Sequence, residues 1–476
     1  MPDQGPRIHQ GAVIVQQVPA GYKDPHEWSL GHSDPFPDGR ITVLPGPAGG
    51  DDAILINNAI SNVGPGGIVQ LQSGALYTIK TPIIMGQGVT LNCDGLTGVS
   101  SKGTGSDKGS AVLVVSASFN PGTLQAPAVI AFIGSDEVGS TTNSNEGGVR
   151  GVWIDGAASP AGTDGISIYG NYGSGTLSRL VIVNMAQNGI SSFKGAVGNH
   201  LPDGWTWENI ICQASGNFGI LETVNDLFAV NVHSQNSHAD NWRIINGAHN
   251  VHVGCRGDVS AVGSGFYLDL QIGTNPNDSF EFIGGGTQLN NQYGFFVNNT
   301  RSAGKSNPII ISGVTCDGDN VAGLRVAGPN AVRFDGNILI TSALPPVAFV
   351  TDFDPTLGTQ PPDMLRIEGG IMGGATGPFT DNAGIENNQL AISSMVVRTN
   401  GSGLTSFNRR YGQTTLAAGT ATVANPWVTA NTRITVTRTT AGGTQGFLSV
   451  VPGAGTFTIT SSSNLDTSVV QYQFQE

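Results

Sequence analysis

Six stretches decide the fold: LSRLVIVNMAQNGI (177–190), WTWENIICQASGNFGI (205–220), LFAVNVHSQNSHADNWRI (227–244), HNVHVGCRGDVSAVGSGFYL (249–268), DSFEFIGGGTQLNNQYGFFV (278–297) and NPIIISGVTCDGDNVAGLRV (307–326). Each holds a β-rich run, a polar turn, then Gly or Asn followed by large apolar residues. The turn residue recurs at Gly165, Gly189, Gly219, Asn241, Gly265, Gly294 and Gly323, at intervals of 24, 30, 22, 24, 29 and 29 residues. A loose repeat of this length, β-branched and Gly-rich, is the signature of a solenoid. The internal alternation is strand-like, and no long helical period interrupts it. The expected fold is all-β: a right-handed, single-stranded parallel β-helix with one coil per repeat.

Composition agrees. Only 12% of residues are charged, and Gly accounts for 69 of 476. Such a stack needs turns with positive φ and tolerates ladders of small polar side chains. The net charge of −13 speaks against a nucleic-acid surface, which requires clustered Lys and Arg. No run of about 18 apolar residues is present, so no membrane span is expected. The start Met1-Pro2-Asp3-Gln4 lacks a charged leader region, which points to synthesis in a cytoplasm without standard export. Cys93, Cys212, Cys255 and Cys316 lack zinc-ligand spacing and read as buried thiols. No metal or cofactor is expected.

Outward from the repeat, three further regions appear. Residues 1–47 form a Pro-rich arm, too poor in apolar residues to build a core. Residues 48–410 comprise the β-helix, and 411–476 a Thr-rich module of short alternating strands. Asp51-Asp52-Ala53-Ile54-Leu55-Ile56 opens the one clear amphipathic helix, over 51–63, with Leu55, Ile56, Ala59, Ile60 and Val63 on one face. Its expected task is to plug the open end of the first coil.

The stretch Asp51-Asp52, Gly64-Pro65-Gly66-Gly67, then Val69, Leu71, Gly74, Tyr77 and Ile79, resembles the entrance of the pectate-lyase-like β-helix superfamily, found in phage tailspikes and bacterial polysaccharide-degrading enzymes. This chain departs from that pattern twice: Gln72-Ser73 stand where a Pro precedes the Gly, and one extra residue separates Gly74 from Tyr77. The pieces Gly419–Val423, Val428–Ile434, Gly446–Val450, Phe457–Ser461 and Asp466–Val470 resemble a small C-terminal β-domain of phage tail proteins. Together the resemblances imply a phage tailspike or tail-fibre protein located in the virion. They imply a homotrimer, an N-terminal arm attached to the tail or baseplate, and a bacterial surface polysaccharide as partner. The implied activity is depolymerisation by hydrolysis or elimination. A non-catalytic adhesive tail protein and a bacterial polysaccharide-degrading enzyme are the alternatives.

Stacking predicts columns. The second residue after each turn position gives Ser191, Leu221, Arg243, Tyr267, Phe296 and Arg325; the fourth gives Phe193, Thr223, Ile245, Asp269, Asn298 and Ala327. Carboxylates are scarce, so Glu222, Asp240 and Asp269 are the candidate catalytic residues, with Arg243, Tyr267, Trp242, His233 and Trp207 as candidate substrate contacts. Glu222 and Asp269 lie two coils apart, about 9.6 Å along the axis, near the spacing of inverting glycosidases. Their register conflicts with a pair: Glu222 is third after its turn residue and Asp269 is fourth, so they face opposite sides. Glu222 is equally readable as a buried, hydrogen-bonded carboxylate, and Trp205 and Trp207 as core. The catalytic sequence signatures of polygalacturonases and calcium-dependent pectate lyases are absent.

Overall fold

A computed structural model describes the strand Val15–Gln17, residues 40–93, 109–124, 127–134, 147–170, 173–193, 201–270, 279–298, 308–327, 331–335 and 337–340, the strands between 347 and 407, and residues 411–424 and 428–475. Of the N-terminal arm, that strand and residues 40–47 are described, and the rest lies outside the described residues. The expected parallel β-helix is present. One sheet of eleven parallel strands runs in chain order from Ile83–Ile84 to Gly377–Asp381. A second sheet of 24 strands bends through each coil and supplies the two other faces. Pairing within the stack already begins at Arg40–Val43, against Ile68–Gln70.

The repeat register read from sequence is the structural register. Ile166, Ile190, Ile220, Trp242, Phe266, Phe295 and Leu324, each one residue past its turn position, pair coil to coil. All of them point into one continuous core. Inside that core aromatic rings stack along the axis: Trp207 on Trp242 at 6.4 Å, Trp242 on Phe266 at 5.3 Å and Phe266 on Phe295 at 4.8 Å. The four cysteines are buried free thiols, as expected.

The bends between faces depend on left-handed backbone. Gly151, Arg179, Asn209, Asn231, Gly254, Gly284 and Gly313 align at one corner, all with positive φ. Asparagine tolerates this region because its short amide bonds locally. Here Asn231 Nδ2 donates to Asn209 Oδ1 at 2.7 Å, tying one corner to the next. At Gly151 a side chain is excluded outright, since a Cβ would meet the Cys93 carbonyl oxygen at 1.9 Å.

The plug helix spans Asp52–Val63 and buries Ala53, Ile56, Ala59, Ile60 and Val63. Its acidic pair does more than cap. Asp51 accepts from Ala53 N at 3.2 Å, Lys80 N at 2.9 Å and Thr81 Oγ1 at 2.6 Å. Fully buried Asp52 accepts from Ala48 N and Thr78 N, both at 2.7 Å. The pair therefore fastens the helix across the first coil. At the other end, Ser402–Phe407 pairs antiparallel to Met395–Thr399. The C-terminal module folds as two three-stranded antiparallel sheets around Leu416, Val428, Phe457, Ile459 and Val470. Buried Asp466 binds Ser461 Oγ at 2.7 Å, Ser468 N at 3.0 Å and Arg438. The Ser461 and Ser468 hydroxyls, followed by Arg438, hold its carboxyl far below the usual range.

Two buried turn carboxylates tie neighbouring coils. Asp164 bonds Ser191 Oγ at 2.6 Å and Asn188 N at 2.9 Å; Asp319 bonds Thr287 Oγ1 at 2.7 Å and Asn290 Nδ2 at 2.8 Å. Burial raises both carboxyls to about 6, against the lowering effect of these bonds. A raised folded-state pKa means that the folded chain binds these protons more tightly than the unfolded one, so stability falls as pH rises from about 4 to about 6. The expected result is a higher urea midpoint at pH ~5 than at pH ~7, and a flatter dependence in the Asp164→Asn/Asp319→Asn double variant.

Candidate functional site on the outer face of the coils

On the outer side of the eleven-stranded sheet, Ser191, Leu221, Arg243, Tyr267, Phe296 and Arg325 form one continuous column, as the spacing predicts. The neighbouring column departs from expectation in one coil. Thr223 pairs with Asn246 and not with Ile245, because the strand Trp242–Asn246 carries a bulge.

Arg243 is the hub. Its Nη1 donates to Asp240 Oδ2 at 3.0 Å and its Nη2 to Asp269 Oδ2. Its guanidinium lies over the Tyr267 ring, 3.7 Å from the centroid, and 5.7 Å from that of Phe218. Tyr267 stacks on Phe296 at 4.4 Å, and Arg325 lies 4.5 Å from the Phe296 centroid. Asn298 Nδ2 donates to the Tyr267 hydroxyl at 2.8 Å, and Arg325 Nη1 donates to the Tyr293 hydroxyl at 2.8 Å. The strip is thus a preordered run in which two arginines flank a stacked pair of aromatic rings.

The two carboxylates differ in what remains unpaired. Asp240 uses both oxygens, Oδ1 accepting from Ser264 N at 2.8 Å and Oδ2 from Arg243. Asp269 uses Oδ2 only, and its buried Oδ1 has no hydrogen-bond partner. Burial raises the Asp240 carboxyl, while the Ser264 amide and Arg243 pull it back. Burial also raises the Tyr267 phenol above its ordinary value, which keeps it protonated at neutral pH. Its oxygen accepts from Asn298, leaving the O–H free to donate.

The remaining candidates fall elsewhere. Glu222 is fully buried inside the coil, where Trp242 Nε1 at 2.6 Å, Asn250 Nδ2 at 2.7 Å and His252 Nε2 at 3.0 Å surround it. A polymer on the outer face cannot reach it, so the pairing of Glu222 with Asp269 is corrected: the bulge lies after Glu222 and does not turn it outward. Trp207 and Trp242 are likewise fully buried, and the aromatic stack of the core claims both. His233 points outward on a different face, 2.9 Å from Asp258 Oδ2. Sequence reasoning missed Asn298 as the Tyr267 partner and Phe218 beside Arg243. It also missed Asp258, Asn250 and His252 as anchors. Among the described residues no three His, Cys, Asp or Glu side chains gather as metal ligands, and no helix is long and apolar enough to cross a membrane.

Residues 408–474 match the family described as K1 capsule-specific polysaccharide lyase, C-terminal domain. No curated protein matches the chain. Among solved structures, the A-module of the mannuronan C-5 epimerase AlgE4 of Azotobacter vinelandii is similar at 16% identity and a TM-score of 0.55, covering 75% of this chain and 97% of that one. This likeness establishes the parallel β-helix and nothing of its chemistry. The tailspike protein gp49 of Acinetobacter baumannii bacteriophage Fri1, a capsular polysaccharide depolymerase, aligns at 11% identity and a TM-score of 0.47, over 89% of this chain and 82% of that one.

The role given to Glu222 is directly measurable. Glu222→Ala strands three buried donors and is expected to lower unfolding free energy by about 3–5 kcal/mol in urea titrations.

Proposed function

We propose that the chain is a phage tailspike that binds a host surface polysaccharide and depolymerises it. The observation that carries this reading is the match of the C-terminal module to a domain of capsule-specific polysaccharide lyases, joined in one chain to a parallel β-helix. The strip around Arg243 supports it. Rungs about 4.8 Å apart, with an arginine on either side of two stacked rings, suit a long repeating ligand whose sugar faces stack on aromatics. In this reading Asp269 is the base, through an Oδ1 that is unpaired and buried and that the seated glycan must reach by displacing its cover, and the Tyr267 hydroxyl is the acid. Arg243 and Asp240 are positioning residues that hold Asp269 in place. Purified protein incubated with capsules and lipopolysaccharides of several candidate hosts is expected to release reducing ends. Asp269→Asn is expected to lower that rate by about 10²–10⁴-fold with glycan binding kept. Binding without product from any glycan would leave an adhesive tail protein instead.

The finer assignments belong to the same proposal: a homotrimer, mounted on the virion by residues 1–47. Support for self-association comes from another face of the coils. There Phe228 is 45% and Ile283 40% exposed, and half-buried Val230, Val251, Val253 and Ile310 lie in the same outward columns, with Glu281 between Val251 and Ile310. A largely apolar face of this kind seeks cover. Native mass measurement is expected to give three chains, and the Phe228→Asp/Ile283→Asp variant to shift the population toward one. A wild-type mass of a single chain removes the trimer.

A further inference from the structure

We infer that a second acid–base site, directed at a uronate sugar, lies on another face of the same coils, at His233, Arg256 and Asp258. His233 and Arg256 are neighbours in one outward column, and Gln235 and Asp258 in the next. Asp258 Oδ2 accepts from His233 Nε2 at 2.9 Å and forms an ion pair with Arg256 Nη2 at 3.0 Å. The Asp258 side chain is only 7% exposed, and its Oδ1 is buried without a partner.

The arrangement has the parts of a base with its orienter. A carboxylate acceptor fixes the ring proton on Nε2, which leaves the lone pair on Nδ1. Nδ1 has no hydrogen bond to a described residue, and the His233 side chain is 26% exposed. Arg256 differs from Arg243 in what it offers. Arg243 has an amine on each of two aspartates and its plane over Tyr267, with the side chain 21% exposed. Arg256 meets a single aspartate and its side chain is 48% exposed, so part of its planar fork faces solvent. An open guanidinium beside an oriented imidazole suits a sugar that carries a carboxylate next to an acidic C–H. Beside it, Gln213, Gln235, Asp258, Gln288 and Asp317 stand in register on five successive coils, an unbroken polar column for the hydroxyls of neighbouring sugars.

The step it fits is β-elimination. Arg256 pairs with the uronate carboxylate, and Nδ1 takes the proton from C5. The C4–C5 double bond forms as the bond from C4 to the glycosidic oxygen breaks, and that oxygen takes a proton from water. His233 then returns its proton to the hydroxide so formed.

This inference rests on the polysaccharide reading for the polymer, whereas its binding half is testable without it. Calorimetry on the full chain is expected to show binding of sodium D-glucuronate and not of D-glucose, with Arg256→Met abolishing it and His233→Gln retaining it. With uronate-containing capsular polysaccharides, the ultraviolet absorbance of the new double bond is expected to rise, and His233→Gln to slow it about 100-fold or more. Unchanged thermal midpoints in both variants exclude misfolding. Failure of glucuronate to bind, or an absorbance rise that His233→Gln leaves intact, overturns the site. Cleavage of uronate polymers without that absorbance also overturns it and leaves the depolymerase reading standing. Glucuronate held by Arg256 without cleavage of any polymer supports the site's specificity and counts against the depolymerase reading.

Discussion

The β-helix and every face it presents depend on backbone register between successive coils. In a parallel stack the hydrogen bonds of one coil dictate which side chains of the next lie directly above, and a slip of one residue turns core outward. The left-handed corner column from Gly151 to Gly313 holds that register, because each corner sets where the following strand starts. Side chains then follow as ladders: aromatics and aliphatics within, asparagines at a corner, charged and aromatic groups without. Function in such a molecule is a property of columns, and residues 25 or so apart in sequence act as neighbours.

The fold was legible because it is repetitive. Turn residues from Gly165 to Gly323 mark the phase of each coil, and simple counting from them places Arg243, Tyr267, Phe296 and Arg325 in one column. Counting also set Glu222 and Asp269 on opposite faces of the coil, which is how they lie. It failed at Ile245, since nothing local announces the bulge in that strand. It was silent on contacts made across a coil. Glu222 is bound by Asn250 and His252, which come from another face and a later coil, and no periodicity within a strand relates them. The triangle of His233, Arg256 and Asp258 escaped for a similar reason. His233 reaches diagonally to the neighbouring column, and coils of unequal length hide that diagonal from a fixed repeat.

Two arginines on the outer faces show how the same side chain takes different parts. Arg243 is held by two carboxylates and an aromatic ring, so it fixes its neighbours' positions. Arg256 meets one carboxylate and keeps donors toward solvent, so it is equipped to meet a ligand's charge. Scarcity sharpens the contrast. With only 12% charged residues in the chain, each outward charge stands among polar and aromatic neighbours, where its partners decide its task.

The two ends of the larger sheet carry a further consequence. Val15–Gln17 lies antiparallel on Arg40–Val43 at one end, and Ser402–Phe407 lies antiparallel on Met395–Thr399 at the other. A solenoid grows by adding parallel rungs, and any bare terminal rung is an invitation to the next molecule. Here each of those strands runs against the direction of growth, so the parallel pairing pattern of the coils is not the one presented at either edge. Among the described residues, the parallel pairing of that sheet thus has a defined first and last strand.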